Sequence, residues 1–431
     1  EPREAAGAPM MRALLLLFAV LAVPVGAARA QSTPGAGVLY AAVGPELSAY
    51  AVDFAEASLT KTSSVALPFA VQYVWTHPSK RFLYVAWSNG MQGDRHGITA
   101  YRINAATGAL APHGPSIEIR HRPVHLSLDA NATHMLVAYN NPSSLSVHSL
   151  NADGTLGAEV RQRGPIDGGI YAHQIRVHPS NKMVVMVTRG NGPTSTRPED
   201  PGALKVYSYR DGVLGNHQSI APNGGFGYQP RHVDFHPTQP WMFLNLERQN
   251  QLQVYKILDG ESVEPKAIFT KGALDRQAAS KPQQMTGAVH VHPNGRFVYI
   301  SNRASGTTTS IDGRQIWEGG ENTIGVYAVD QKTGEPARIQ NIDSGGVHAR
   351  TFTLDEGARL LVAANQNAVT KRDGAIETTR QILRCGSPSS PRSPTAPRRA
   401  ATARGSRSPR PWPRGWSGSA TTSPCSPPPT R

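Results

Sequence analysis

Four ionisable residues break into strand-like apolar contexts: His173 in IYAHQIRVHP, Arg231 in GYQPRHVDFHP, Glu247 at the end of WMFLNLE and Arg303 in FVYISNRASG. A carboxylate beside two guanidiniums stays ionised and orients them. An arginine pair can hold a carboxylate or phosphate, and a histidine can move a proton near neutral pH. Such a set could hold an anionic group and move a proton beside it. Each residue also has a plainer reading. His173 can be a hydrogen-bonded strand histidine, Arg231 can brace the turn after Gln229-Pro230, and Glu247 with Arg303 can form an ion pair with no part in turnover. The chain has no G-x-S-x-G elbow, H-E-x-x-H, P-loop or Rossmann glycine fingerprint. Its two cysteines are Cys385 and Cys425, so the body of the chain has no thiol for catalysis, a disulfide or a metal.

Residues so far apart need a scaffold that brings separate strand ends to one place, and the chain repeats itself in the way such a scaffold requires. An apolar residue, a Tyr and a polar turn recur as LSAYAVD, ITAYRIN, LSVHSLN, LKVYSYR, LQVYKIL and IGVYAVD, with Tyr50, Tyr101, His148, Tyr207, Tyr255 and Tyr327 equivalent. The intervals are 51, 47, 59, 48 and 72 residues. A second pattern interleaves: His77-Pro78, Leu128-Asp129, His178-Pro179, His236-Pro237, His292-Pro293 and Leu354-Asp355, each followed by a turn and a strongly apolar strand such as RFLYVAW or KMVVMVT. A repeat of roughly 50 residues holding about four strands is a propeller blade. The fold class is all-β, a seven-bladed β-propeller. Polar residues at its inner strand ends converge on a central channel, which places the four candidates at its mouth. Six Tyr halves and six His-Pro or Leu-Asp halves leave the last half-blade, due after Asn365, missing from the pattern.

Composition sets limits on partners. Apolar residues at 39 % with 17 % charged suit a folded chain, and the net charge of +14 is concentrated at the C-terminus. From Cys385 onward there are eight Arg and no Asp, Glu or Lys, so residues 31–384 carry about +5, and no nucleic-acid partner is expected of the fold. Residues 1–10 read as upstream of the natural start. Residues 11–30 read as a signal peptide, with Arg12 before the apolar run Leu14 to Val25 and a small-x-small site at Ala28-Arg29-Ala30. The protein is then periplasmic or secreted, with no membrane attachment after cleavage. The propeller occupies 31–383, and the Pro/Ser/Arg-rich stretch 384–431 reads as an out-of-frame translation joined to the last blade.

QPRHVDFHP, the Glu247 strand followed by QLQVY, VHPNGRFVYISNR and HARTFTLDEGARLLVAANQ resemble the bacterial 6-phosphogluconolactonase propeller family, to which the fungal carboxymuconate lactonising enzyme also belongs. The resemblance spans about Val38 to Asn367. It implies seven blades and a catalytic set at His173, Arg231, Glu247 and Arg303, with either His173 or Glu247 as the general base and with Arg231, Arg303 and His232 binding substrate. It also implies a metal-independent lactone hydrolase needing no cofactor, with a small-molecule lactone or anionic sugar acid as partner, acting as a monomer. Two departures stand out. The family's Pro-His-x-His reads Ile170-Tyr171-Ala172-His173 here, and its Asp-Leu-Gly reads Thr188-Arg189-Gly190. Export also sits oddly with a phosphorylated cytoplasmic metabolite, so an unphosphorylated aldonolactone or a lactone from aromatic breakdown is a further substrate class. A non-catalytic binding propeller and a muconate-lactonising isomerase remain the alternatives.

Overall fold

Alternation of β-branched or aromatic residues with small polar ones, broken every few residues by Gly, Asn or Asp turns, leaves the chain little choice but short antiparallel strands. The computed structural model describes residues 37–275, 283–304, 306–357, 359–373, 375–379, 383–386 and 401–402. Residues 1–10, residues 11–30 expected to be a signal peptide and nearly all of 384–431 lie outside them. No helix among the described residues is long and apolar enough to cross a membrane.

The strands fall into seven successive sheets that serve as blades. Blade one is Gly37–Val43, Glu46–Asp53 and Ser58–Ala66. Blades two to six each start with a short inner strand: Ala70–Thr76, Pro123–Leu128, Ala172–Val177, Pro230–Phe235 and Met285–Val291. Blade seven starts with Val347–Leu354 followed by Leu361–Asn367. In each of these six a second, apolar strand follows the inner one, and in blades two, four and five (Phe82–Ser88, Met183–Thr188, Trp241–Leu246) it is buried throughout. Where the repeat offers no seventh Tyr half, a reduced one is present: Leu383–Gly386 pairs with Leu361–Asn367, and Ala401–Thr402 pairs with it in turn. At the inner position of blade one there is no strand among the described residues, and the flanking Thr351 and Thr353 are exposed.

Apolar packing between blades joins the ring. Met183, Val185 and Leu204 of blade four meet Val233, Met242 and Leu244 of blade five. The ring closes where Val52 and Leu59 of blade one pack on Leu360 and Val362 of blade seven, and Arg359 lies 3.7 Å over the Phe54 ring. The 72-residue interval between Tyr255 and Tyr327 contains an inserted hairpin, Thr308–Ile311 with Arg314–Trp317. It pairs in parallel with a second hairpin, Val369–Asp373 with Ala375–Thr379, through Ile316↔Thr370.

The His-Pro and Leu-Asp pairs are turn braces. The backbone N–H of His77, Asp129, His178, His236, His292 and Asp355 donates to the carbonyl five residues on, at 2.8–3.0 Å. The side chain then caps the same turn. Nδ1 of His178 accepts the N–H of Ser180 at 3.1 Å, and Oδ1 of Asp129 accepts those of Thr133 and His134 at 2.8 and 3.0 Å. His therefore corresponds to Asp rather than to Leu, one residue away from the sequence pairing. Oδ2 of Asp129 also accepts Tyr209 Oη at 3.1 Å in a buried setting and Thr133 Oγ1 at 3.0 Å nearer the surface. Asp129→Ala leaves two backbone donors and a phenol unpaired and is expected to cost about 2–3 kcal/mol in urea unfolding.

Candidate active site

The brace register sorts the channel mouth into three rings. Five residues before each brace, the inner strand carries an extra residue that breaks regular pairing. Register shifts fall beside Gln72, Val124, His173, Arg231, Gly287 and Arg350. A bulge re-aims the extra side chain away from its regular strand position. Eleven residues after the brace, at the end of the second strand, stand Ser88, Asn140, Arg189, Glu247, Arg303 and Gln366. Seven residues before it stand Ala70, Arg122, Tyr171, Gln229, Met285 and His348. Tyr171 and His348 hold φ of +57° and +66°, a left-handed conformation that bulky side chains adopt at a cost and that concentrates at functional sites.

Glu247 is the hub. Its Oε1 accepts Arg231 Nε at 3.0 Å and Arg303 Nη2, and its Oε2 accepts Arg189 Nη1 at 2.6 Å. Burial alone would raise its pKa; Arg189, Arg303 and Arg231 outweigh burial and hold the carboxyl well below the usual carboxylate range. Arg231 is 2 % exposed and gives Nη1 to the Gly287 carbonyl, which leaves Nη2 as the donor for a ligand oxygen. Arg303 gives Nε to the Thr286 carbonyl at 3.1 Å and Nη1 to His348 Nε2 at 2.8 Å. Burial lowers Arg303 to about 10, still fully charged at neutral pH. Arg189 donates its backbone N–H to the Tyr171 carbonyl at 2.9 Å, and its guanidinium lies 4.3 Å over the Tyr171 ring.

The histidines stay neutral in this field. His173 is pushed well below the usual imidazole value by burial and then by Arg231, Arg350, Arg189 and Arg303, and its Nδ1 is buried without a hydrogen-bond partner. Its ring stands 5.2 Å from that of His232, which in turn lies 6.2 Å from His125. His348, accepting from Arg303, is lowered to about 2 by burial and the arginines.

One family model, described as Lactonase, 7-bladed beta-propeller, matches residues 36–389. The chain belongs to this lactonase family. The 6-phosphogluconolactonase of Bacillus subtilis is 28 % identical over 308 residues, covering 68 % of this chain and 76 % of that protein. That of Pectobacterium carotovorum is 28 % identical over 315 residues, covering 73 % and 83 %. Among solved structures, the periplasmic gluconolactonase of Pseudomonas aeruginosa shares the fold with a TM-score of 0.59 at 20 % identity, over 81 % of this chain and 98 % of that one.

In this lactonase-family propeller the five residues singled out in the sequence, His173, Arg231, His232, Glu247 and Arg303, lie on neighbouring blades four, five and six. The plain reading of Glu247 and Arg303 as an interblade ion pair is also true of the structure, since they bridge blades five and six. Four further residues of the mouth were not found by motif: Arg122, Arg189, His348 and Arg350. Arg189 stands where the family motif has Leu, and Arg350 sits in HARTFTLDEG at the same bulge as His173 and Arg231. Counting back five from His but four from Leu hides that equivalence; counting five from Asp355 finds it.

Proposed function

We propose that this protein hydrolyses the ring ester of an anionic sugar-acid lactone of the 6-phosphogluconolactone type. The observation that carries the reading is Glu247 holding Arg231 and Arg303 by direct hydrogen bonds near a neutral His173, an arrangement in which Arg231 Nη2 would serve a ligand oxygen. A neutral imidazole can accept a proton at pH 7, whereas Glu247, with both oxygens occupied and its pKa depressed, is a poor base. His173 takes a proton from water as the water oxygen bonds to the carbonyl carbon. The carbonyl oxygen, now anionic, is held by Arg231, and collapse breaks the ring C–O bond as His173 returns the proton to the departing alkoxide. The products are a carboxylate, a hydroxyl and a released proton. The arginines make imidazolium unfavourable in the empty site. An anionic substrate offsets their charge and makes His173 a stronger base when the substrate is present. Export to the periplasm, monomeric state and independence of metal belong to the same reading. The first rests on residues 11–30, with Arg12, the apolar run and the Ala28-Arg29-Ala30 site.

The test is proton release at constant pH with a panel of phosphorylated and plain aldonolactones. Acceleration over spontaneous opening is expected, and His173→Ala should lower kcat by about 10²–10⁴. No acceleration of any lactone, with a ligand-induced melting shift alone, would sink the reading in favour of a binding propeller.

A further inference from the structure

The insertion between the second and third strands of blade six begins directly after Arg303 and ends at Asn322, before Thr323–Val329. Asn322 is buried and closes the stem of that insertion. Its Oδ1 accepts the Ala304 N–H at 2.9 Å, and its Nδ2 donates to the Ala304 carbonyl at 3.2 Å. The same Oδ1 accepts the backbone N–H of His348, on the inner strand of blade seven, at 2.7 Å. The Asn322 carbonyl accepts the N–H of Ser344 at 2.9 Å, so one residue spans the turn that leads into that strand. His348 needs such a hold, because its φ of +66° persists only where the surroundings over-determine it. In that conformation its Nε2 accepts Arg303 Nη1 at 2.8 Å. His348 thus holds the guanidinium from blade seven, as the Thr286 carbonyl holds Nε from blade six and Glu247 holds Nη2 from blade five. Asparagine suits the place: one oxygen accepts two N–H groups while the amide N–H meets a carbonyl. Aspartate lacks the donor, and glutamine carries the same groups one methylene farther out.

We propose that Asn322 is a positioning residue for the reaction: through the backbones of Ala304 and His348 it sets the Arg303 guanidinium beside Glu247. Its bearing on turnover rests on the lactonase reading, whereas the hydrogen-bonded path from Asn322 through His348 to Arg303 stands without it. A misplacement of about 1 Å in a group that must meet the transition state can cost about 10²-fold in rate, so a neutral amide that touches no substrate can still govern kcat.

The test uses the full chain with nitrogen-15-labelled histidine. Because Arg303 donates to Nε2, a neutral His348 ring carries its proton on Nδ1, and the nitrogen spectrum near neutral pH tells this tautomer from the Nε2–H form that free imidazole side chains prefer. His348→Asn identifies the signal by its loss. Wild-type protein is expected to show the Nδ1–H form. Asn322→Leu, of similar size without the polar groups, should shift His348 toward the Nε2–H form and lower kcat for lactone opening by about tenfold or more, with KM changed by no more than about twofold. Asn322→Ser, whose shorter side chain cannot span both backbone groups, should move tautomer and kcat in the same direction by less, so a leucine variant that fails to fold does not end the test. A residue that only stabilises the stem would lower the urea midpoint and leave the tautomer and kcat of the folded protein unchanged, and that result overturns the proposal. So does a wild-type His348 protonated on Nε2, or an unchanged kcat in a variant that has lost the Nδ1–H form. If wild-type protein opens no lactone, the hydrolase reading falls, and the tautomer still decides whether Asn322 sets the Arg303–His348 pair. An active hydrolase whose tautomer and kcat are indifferent to Asn322 refutes the positioning role alone.

Discussion

Glu247→Gln is expected to lower lactone hydrolysis by about a hundredfold or more and to cost about 3–5 kcal/mol of stability in urea unfolding. The substitution keeps the shape of the side chain and removes its charge. Arg231, 2 % exposed, and Arg303, 4 % exposed, then share a buried space with Arg189 and no carboxylate. An amide oxygen can still accept from one or two of them, but the like charges are no longer offset, and breaking a buried pair costs more than the pair contributed. Catalysis falls for a separate reason: Nη2 of Arg231 is aimed only because Nε is held by Glu247 and Nη1 by the Gly287 carbonyl. The two effects can be separated. Combining Glu247→Gln with Arg303→Gln removes one excess charge, so the double variant should be less destabilised than the sum of the singles by about 0.5–3 kcal/mol, with activity still lost. Additive stability losses would show that Glu247 and Arg303 do not act as a pair. Added phosphate should return part of the stability of Glu247→Gln by linkage, since it supplies the missing anion.

How this cluster arises was only partly legible in the chain. The alternation of strands and the recurring Tyr and His-Pro markers carry the blade architecture because every blade faces the same demand: two apolar faces and a hairpin at each end. Arg231, Glu247 and Arg303 are visible because an ionised group at the end of a buried strand is rare enough to notice. Arg350 escaped because the bulge that aims it is a backbone event with no residue signature of its own, and because the brace can be His or Asp. The hydrogen bond from the brace N–H to the carbonyl five residues on, which equates His178 with Asp355, cannot be seen in the letters. Arg189 looked like a lost motif, since Thr188-Arg189-Gly190 replaces the family pattern, yet in space it supplies the donor for the second oxygen of Glu247. The missing Tyr half after Asn365 was legible; that Leu383–Gly386 and Ala401–Thr402 pair there in reduced form was not.

Acidification should unfold the protein in two stages, and the sign follows from which state binds the proton. His125, His173, His232 and His348 all have pKa values depressed by burial, so the folded state keeps them neutral while the unfolded chain protonates them below about pH 6.5. The unfolded state therefore takes up more protons as pH falls from about 6.5, and stability drops through that window. His348 alone, lowered to about 2 in the folded protein, accounts for about 2–3 kcal/mol by pH 4.5 at ~1.4 kcal/mol per unit. Glu247 acts in a lower window. Its depressed pKa gives stability that is complete above the unfolded carboxyl value of about 4.3 and is lost as pH falls below it. Urea midpoints at pH 7.5, 6.0, 5.0 and 4.5 should fall steadily, with the steeper decline beginning near 6.5 rather than near 4. His348→Asn isolates one histidine: asparagine tolerates the φ of +66° and its oxygen can accept the Arg303 hydrogen bond, so the fold is kept while one titrating group disappears. The slope of stability against pH between 6 and 4.5 should then flatten by about 1.4 kcal/mol per unit relative to wild type. A midpoint that holds level from pH 7.5 to 5 would mean that these histidines already carry protons in the folded protein, and with them the neutral base on which the proposed chemistry depends would be lost.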